Sequence, residues 1–413
     1  MYSSFEELKA CPKACNDLVI QSKEIFKCVA GESLLSELTN NRDTRGVIHL
    51  VLDAKQQEGG VIRVRRAGII DNLGVINCQT LEGKESCPDS MFDDILLGEI
   101  RNAICMNQCG AWSLQQGSSF IRSRDEARKS LESWLVSILM KSFFNQLGSY
   151  TGNYTYYNGK KEPIVLQTRG FNEITPSTAH YRVVTTPANG STPASSTLVN
   201  ITGDIAGENN IQAKDKLTLS VIRQLKSLVF NDNNICGNQM LDRYGVQYVL
   251  FLHPTQIADL KSDPEWRNWI CCADQKGPNN RLTTGAEGVI DGILIKSSEY
   301  VPYGVKPNGE PNLNVRRAIL AGVDAVSLAI GGYKMVQDGN IVSVPFKLDY
   351  GYRDFNHYSA LAISAIFGLK KTRFNNKDAS ALVISSYVPD STIDNPVYSI
   401  DTNSSLVTNK KGS

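Results

Sequence analysis

The feature of this sequence that most constrains its fold is one long amphipathic helix, predicted over residues 122–147. Ser123 followed by Glu126 has the pattern of a capping box at its start, and Gly148 is placed to end it. About 25 residues at ~1.5 Å each give a rod of roughly 37 Å, longer than the average globular helix. The apolar residues that recur at the spacing of one helix face are Ala127, Leu131, Trp134, Leu135, Ile138 and Leu139.

Length and charge exclude several classes of protein. At 413 residues the chain exceeds what one hydrophobic core usually serves, so two or more lobes are expected. The 43 Lys and Arg against 42 Asp and Glu create no global field toward DNA or an anionic membrane, so any nucleic-acid contact must be local. The 41% apolar content excludes general disorder.

The first twenty residues lack a signal-peptide pattern, and no run approaches the roughly 18 apolar residues that span a bilayer. We therefore expect a cytosolic chain whose ten cysteines stay reduced. Cys11 with Cys15 and Cys105 with Cys109 are spaced i, i+4, which suits half of a zinc site or two small side chains on one helix face. We predict no metal and no cofactor.

Residues 59–86 have the pattern of a two-stranded ribbon with one basic edge. Ile62 and Val64 alternate with Arg63 and Arg65, and a second extended run at 74–80 follows a turn signal. An isolated ribbon is marginal in water. This ribbon should therefore pack either on its own domain or on a neighbouring subunit.

The remaining segments mix helices and strands without a regular βαβ order. The stretch at 151–210 is rich in Thr, Ser, Asn, Gly and Pro and is predicted to be a surface excursion with little to bury. The other predicted elements are a helix and a short strand before residue 56, a helix at 217–229, a strand at 246–253, a helix from Asp263, a strand pair in 288–301, and a buried helix over 314–332 capped by Asn314. This mixture predicts the α+β class.

Two basic groups have no evident role in the sequence. An apolar run from residue 363 breaks at Gly368 and is followed by Lys370, Lys371 and Arg373, which suits an anion site, a nucleic-acid contact or a solvated strand end. The outer face of the long helix carries Arg122, Arg124, Arg128 and Lys129 beside acidic residues, as a solvated helix face also does.

No catalytic apparatus is evident. The motifs of dinucleotide, phosphate, zinc-protease and serine-hydrolase sites are missing. His253 follows a predicted strand but precedes Pro254, as a turn residue does, and Asp349 and Asp354 are only weak candidates for acid–base chemistry. We therefore expect no catalytic residues and favour a structural or binding role.

Several segments, in order, resemble the major capsid proteins of tailed bacteriophages, and most of all the podovirus-type branch of the Hong Kong 97 fold. The similarity extends from about residue 57 to 385 and rests on "LEGKES", "LESWLVSILMKSFF", "VLFLHPTQIADLKSDPEW", "GVIDGILI", "RRAILAGVDAVSLAIGG", "LDYGYRDF" and "SAIFGLKKTRFN". It implies an N-terminal arm (1–56), an extended β-ribbon loop lying on the adjacent subunit (57–92), a peripheral domain whose spine is the long helix (93–150), the polar excursion (151–210), an axial domain (211–332), return strands of the peripheral domain (333–390) and a tail (391–413).

The resemblance further implies a structural protein that self-assembles into pentamers and hexamers of an icosahedral head around double-stranded DNA. Such a protein is assembled in the host cytoplasm, resides in the virion, and has portal, scaffolding and decoration proteins as partners, with non-specific DNA contact and no membrane. The expected subunit-interface residues are Arg63, Arg65, Arg66, Glu82, Glu85, Lys370, Lys371 and Arg373. The residues expected to face the lumen or DNA are Arg122, Arg124, Arg128 and Lys129. A soluble enzyme and a non-capsid phage structural protein remain the alternatives.

Overall fold

The computed structural model describes residues 46–51, 60–67, 82, 90–105, 118–155, 161–162, 165–187, 195–204, 206–231, 248–267, 288–337, 340–344, 346–353, 358–374 and 376–389. The predicted N-terminal helix, the second ribbon run at 74–80 and the tail lie outside these residues. The described α-helices with both ends defined are α1 (Ser118–Leu147), α2 (Leu219–Asn231) and α3 (Pro254–Ser262). Residues 264–267, at the start of the helix predicted from Asp263, are helical as well.

The strands of the described residues fall into two main sheets and four short pairs. In chain order they are β1 (Ile48–Val51), β2 (Val61–Ala67), β3 (Ser90–Leu96), β4 (Gly98–Cys105), β5 (Tyr154–Thr155), β6 (Lys161–Glu162), β7 (His180–Thr186), β8 (Ser195–Asn200), β9 (Tyr248–Leu252), β10 (Gly288–Ile290), β11 (Ile293–Ser297), β12 (Tyr303–Val305), β13 (Pro311–Ala321), β14 (Val326–Ile330), β15 (Tyr333–Gln337), β16 (Asn340–Val344), β17 (Phe346–Arg353), β18 (Tyr358–Lys371), β19 (Arg373–Phe374), β20 (Lys377–Asp378) and β21 (Ala381–Tyr387).

The long helix α1 has the predicted apolar face but an earlier start. Ala127, Leu131, Leu135 and Leu139 are buried in the core, while Trp134 and Ile138 pack against it in part. The helix begins at Ser118, so Ser123 is an interior residue and not the predicted cap. Residues 118–122, which follow Gly117, contain neither Pro nor Gly, so nothing in them stops the helix from extending. The predicted end is confirmed, since the Gly148 N–H donates to the Phe144 carbonyl at 2.8 Å.

The smaller sheet is built on the long strand β18. One edge of β18 pairs with β17 and, further along, with β14, which pairs in turn with β1, while the opposite edge pairs with β4. The larger sheet has eight strands, in the order β10-β11-β9-β13-β21-β7-β8, with β12 on β13. The predicted strand pair in 288–301 is present as β10 and β11.

Both faces of the eight-stranded sheet are buried, which divides the protein into two cores. Along β9, Val249 and Phe251 belong to the core that contains α1 and the five-stranded sheet. Leu250 and Leu252 point to the opposite face, where α2 and α3 residues cover them. Successive side chains of a strand face opposite sides, so this sheet is the partition between the two cores.

The predicted helix over 314–332 is wrong. The segment forms β13 and β14, joined by a turn in which Asp324 has a positive φ of 53°. The sequence is apolar nearly all round because β13 is a central strand covered on both faces, with Ala318 in one core and Ile319 in the other. A continuous apolar run is compatible with a buried helix or with such a strand, and the tertiary pairing decides.

The basic ribbon exists, but its second strand differs from the one predicted. β2 pairs antiparallel with β3, from Val61 opposite Leu96 to Ala67 opposite Ser90, so its partner is not the run at 74–80. The inner face of the ribbon packs on its own chain, because Ile62 and Ile95 contact Ala329 of β14. The root of the ribbon therefore lies on its own chain.

The polar stretch at 151–210 is only partly the surface excursion predicted. β7 and β8 form one side of the eight-stranded sheet, where β7 pairs parallel with β21. Tyr181 and Val183 belong to the second core, and Glu208 is a buried carboxylate. The low apolar content led to the wrong prediction because strands at the side of a sheet, such as β7 and β8, need only a few apolar side chains to pack on the core.

Candidate functional site

The basic residues that follow Gly368 are bound within their own chain. Lys371 is buried, and its Nζ donates to Asp378 Oδ2 at 2.6 Å and to Ser149 Oγ at 3.0 Å. Arg373 Nε donates to Asp378 Oδ1 at 3.1 Å. Burial by itself would raise the pKa of Asp378, but the positive charges of Lys371 and Arg373 outweigh it and lower that pKa. Lys371 is thus unable to reach a neighbouring subunit, which corrects its expected role at the interface.

A second buried ion pair links the central strand β13 to the segment that follows β8. Arg317 of β13 grips Glu208 with two bonds, from Nε to Oε1 at 2.8 Å and from Nη2 to Oε2 at 2.7 Å. Glu208 also accepts from Ser385 Oγ at 2.6 Å and from the Val305 N–H at 2.6 Å. Burial opposes ionisation of Glu208, yet the charge of Arg317 and the hydrogen bonds of His180 and Arg317 hold its pKa well below the ordinary value.

The two ion pairs meet at the C-terminal end of α1. Arg317 Nη1 donates to the carbonyls of Gly148 at 3.1 Å and Ser149 at 2.8 Å, while Lys371 bonds the Ser149 hydroxyl. A helix C-terminus carries partial negative charge and unsatisfied carbonyls, so two cations are well placed there. We call these groups the ionic junction: Glu208, Arg317, Lys371, Asp378 and the end of α1. It ties both main sheets to the long helix.

His180 beside the ionic junction has the composition of a hydrolase triad but not its geometry. Its Nε2 lies 2.9 Å from Ser385 Oγ and 3.3 Å from Glu208 Oε1, so one ring nitrogen faces both groups. In a catalytic triad the serine and the carboxylate contact opposite ring nitrogens. Ser385 is also fully buried, out of reach of a substrate. Burial lowers the pKa of His180, and Glu208 only partly offsets this.

Lys370 connects the ribbon root to the five-stranded sheet. Its Nζ lies 2.6 Å from Asp93 Oδ1 and donates to the Asp94 carbonyl at 2.9 Å. Asp93 is buried on the inner face of β3, and Lys370 is partly exposed. Lys370 was expected to contact a neighbouring subunit, but in this structure its partners belong to its own chain.

The opposite face of the ribbon is open. Cross-strand pairing places Val61 beside Leu96, Arg63 beside Asp94 and Arg65 beside Phe92. Phe92 is 54% exposed and Leu96 49%, and Arg65 is exposed as well. Arg63 binds Asp94 through Nε at 2.7 Å and Nη2 at 2.9 Å. We call this set the outer ribbon face: Arg63, Arg65, Phe92, Asp94 and Leu96.

The other residues expected at contacts are distributed as follows. Glu82 is exposed, whereas Glu85 and the side chain of Arg66 lie outside the described residues. Arg122 and Arg124 lie in α1, but their side chains are also outside them. Arg128 lies 3.3 Å from Glu132 one turn later, and Lys129 is exposed.

The weak catalytic and metal candidates acquire other roles or fall outside the described residues. His253 caps α3, since its Nδ1 accepts from the Thr255 N–H at 3.3 Å and its own N–H donates to Gln256 Oε1 at 3.0 Å. Asp349 lies 3.0 Å from Lys347. Cys105 is a free, exposed thiol. The remaining candidates, Asp354, Cys11, Cys15 and Cys109, are outside the described residues.

Within the described ranges no group of three or more His, Cys, Asp or Glu side chains could hold a metal ion. In the same ranges no helix combines the length and apolarity needed to cross a membrane.

Solved structures share the overall fold of this chain. A capsid structure of Ralstonia phage GP4 aligns with a TM-score of 0.61 at 19% identity, covering 86% of this chain and 91% of that one. The capsid of cyanophage Pam1 aligns at 0.56 with 14% identity, over 86% and 92%. The acid-stable capsid of Helicobacter pylori bacteriophage KHP30 aligns at 0.52 with 15% identity, over 86% and 91%. The fold is thus of the Hong Kong 97 type, in the α+β class predicted.

The chain belongs to the phage capsid protein family, whose model matches residues 22–390. A search of curated proteins gave no match. The family establishes a structural role in the shell of the virion, built from many copies of one subunit, and confirms the predicted capsid function. The podovirus-type branch stays a prediction.

Proposed function

We propose that this capsid protein forms pentamers and hexamers that close an icosahedral head around double-stranded DNA, with the outer ribbon face as a contact between subunits. The observation that carries the proposal is the pair Phe92 and Leu96, two large apolar side chains left exposed on one face of a ribbon. Exposed apolar side chains on a sheet surface, framed by charges, are typical of an interface.

The charges on this face are suited to setting the register of the contact. Arg63 is held by Asp94 and lies 5.8 Å from the centre of the Phe92 ring, so it has a defined position. Arg65 is exposed beside Phe92. Charged groups around an interface add specificity and orientation more than affinity. Arg65, Arg66, Glu82 and Glu85 therefore remain our assignments for contacts with a neighbour.

The domain arrangement implied by the resemblance is part of the same proposal. The extended loop includes β2 and β3 and so ends near Leu97, somewhat beyond residue 92. The peripheral domain contains α1 and the five-stranded sheet, while the axial domain contains much of the eight-stranded sheet with α2 and α3. In this arrangement the ionic junction joins the two domains at the end of α1.

The further partners are proposed on general grounds. Assembly takes place in the host cytoplasm with portal and scaffolding proteins, and decoration proteins bind outside. Packaged DNA is held by non-specific contact through the basic residues of α1, namely Arg122, Arg124, Arg128 and Lys129. The nearly neutral composition favours subunit contacts over DNA as the main role of the chain's charges.

A substitution experiment tests the ribbon contact. The protein is expressed with its scaffolding partner, and the product is measured by light scattering and electron microscopy. We expect closed shells from the wild type and none from the double variant Phe92→Ser, Leu96→Ser. Thermal unfolding should change little because about half of each side chain is already exposed to water. The matched control, Leu166→Ser with Val199→Ser, removes two other exposed apolar side chains and should still form shells.

Two results would contradict the proposal. Normal shells from the ribbon variant would remove the outer ribbon face from the interface. A stable monomer of the wild type, with and without scaffolding protein, would contradict self-assembly itself.

A further inference from the structure

A cavity beside the end of α1 contains a buried arginine with no carboxylate partner among the described residues. Arg316 precedes Arg317 on β13 and is only 7% exposed. Its Nη1 donates to the Val301 carbonyl at 2.8 Å, and its Nε has no hydrogen-bond partner in the part of the chain that the structure describes. The guanidinium stacks on Tyr303, with Cζ 3.4 Å from the ring centre.

The cavity is large enough for a molecule or a side chain. Its volume is about 290 Å³, roughly the space of ten waters in the liquid. Lys141, Asn145 and Asn153 contribute polar groups to its wall, and Glu299 is an exposed residue of the lining. The buried cation and Lys141 together outweigh the one carboxylate of the lining, so the cavity attracts an anion.

The electrostatics of Arg316 call for an opposite charge. Burial lowers its pKa to about 10, which still leaves the guanidinium protonated at neutral pH. Stacking on an aromatic ring offsets only part of the cost of a buried cation. A buried charge without a counter-charge is normally strongly unfavourable. An oxyanion in the cavity would supply the counter-charge that Arg316 lacks among the described residues.

We propose that this cavity binds an oxyanion, a carboxylate or phosphate group that forms a salt bridge with the Arg316 guanidinium. The oxyanion comes either from a free anion or from an acidic side chain of a second copy of this chain in the shell. Both sources present the same chemistry to Arg316. This inference goes beyond the capsid role. If the source is a free anion, the unassembled chain should bind it as well.

The first experiment titrates the unassembled full-length chain with sodium phosphate and with sodium acetate at constant ionic strength. His253 is the reporter, because burial and then the positive charge of Arg316 lower its pKa to about 4. An anion bound at Arg316 should raise that pKa, which histidine NMR detects among only four histidines. We expect saturable binding that Arg316→Gln weakens at least about tenfold, the range of a charged hydrogen bond.

Two further variants make the result specific. Arg223→Gln removes an exposed arginine on α2 that pairs with Glu265, and it should bind anions as the wild type does. Leu313→Trp keeps Arg316 but adds bulk to the cavity wall, so it should weaken binding even if Arg316→Gln fails to fold. Equal binding by the wild type, Arg316→Gln and Leu313→Trp would overturn the site.

The second experiment images assembled shells by electron cryo-microscopy at side-chain resolution. A carboxylate of a second copy within salt-bridge distance of Arg316 would support the proposal and identify the neighbour as its source. Saturable binding in solution would support it with a free anion as the source. Absence of binding in solution, together with shells in which Arg316 contacts only water and its own chain, would overturn it.

Discussion

The ionic junction and the outer ribbon face use the same pair of groups in nearly the same geometry. Arg317 binds Glu208 at 2.7–2.8 Å, and Arg63 binds Asp94 at 2.7–2.9 Å, each through two bonds. Their exposures differ widely, at 8% and 3% for the first pair and 57% and 44% for the second. The difference teaches that bond geometry does not set the role of an ion pair. Burial determines how strongly folding depends on an ion pair, because water screens the charges of an exposed pair and competes for its hydrogen bonds.

The largest effect is expected from breaking the buried pair on one side. Glu208→Gln leaves the Arg317 charge buried beside the end of α1, and we expect it to lower the free energy of unfolding by about 3–5 kcal/mol. Urea unfolding of the unassembled chain measures this loss. The double variant Glu208→Gln, Arg317→Met removes both charges and should lose less than the sum of the single variants. Additive losses would contradict the coupling on which the comparison rests.

This junction was beyond the reach of sequence reasoning for a definite reason. Glu208 and Arg317 are 109 residues apart, and each lies in a segment whose local pattern pointed elsewhere. Glu208 lies in the polar stretch predicted as a surface excursion, and Arg317 in the segment predicted as a helix. No periodicity encodes which distant carboxylate a buried arginine meets.

The parts of the fold that were predictable are those encoded locally. The apolar stripe of α1 repeats every three to four residues and needs no partner to be recognised. The alternation of Ile62 with Arg63 likewise identified β2, whereas its true partner, β3, depends on pairing across an intervening loop. The basic residues at 370–373 are recognisable in the sequence, but the structure separates Lys370 from Lys371 and Arg373. Their partners, Asp93 and Asp378, required the folded chain.

A smaller effect on stability is expected from acid, mainly through groups in and beside the ionic junction. His180 has a lowered pKa in the folded chain, so below about pH 6.5 the unfolded chain binds protons that the folded chain does not, and stability falls as pH falls. Glu208 and Asp378, whose pKa values are also lowered, add a further loss as pH falls toward 4 and below. Urea midpoints measured from pH 7 to 4 should therefore decrease throughout.

The variant His180→Gln separates these contributions. It should flatten the upper part of the decrease, from pH 7 to 5.5, and leave the lower part. His253, whose pKa is lowered to about 4, contributes in the same direction and accounts for what remains of the upper slope. A variant with the full upper slope of the wild type would show that burial of His180 does not govern it.

The smallest effect on folding, and the sharpest test of the comparison, is expected at the outer ribbon face. Arg63→Asp breaks an exposed pair and places two carboxylates opposite each other, but the urea midpoint should fall only slightly because water screens both charges. Shell yield, measured by light scattering with scaffolding protein present, should fall. The charge exchange Arg63→Asp with Asp94→Arg restores the pair within the ribbon but reverses what a neighbouring subunit meets. If the face is an interface, the exchange does not restore assembly, whereas full recovery would mean that the pair acts only inside its own ribbon.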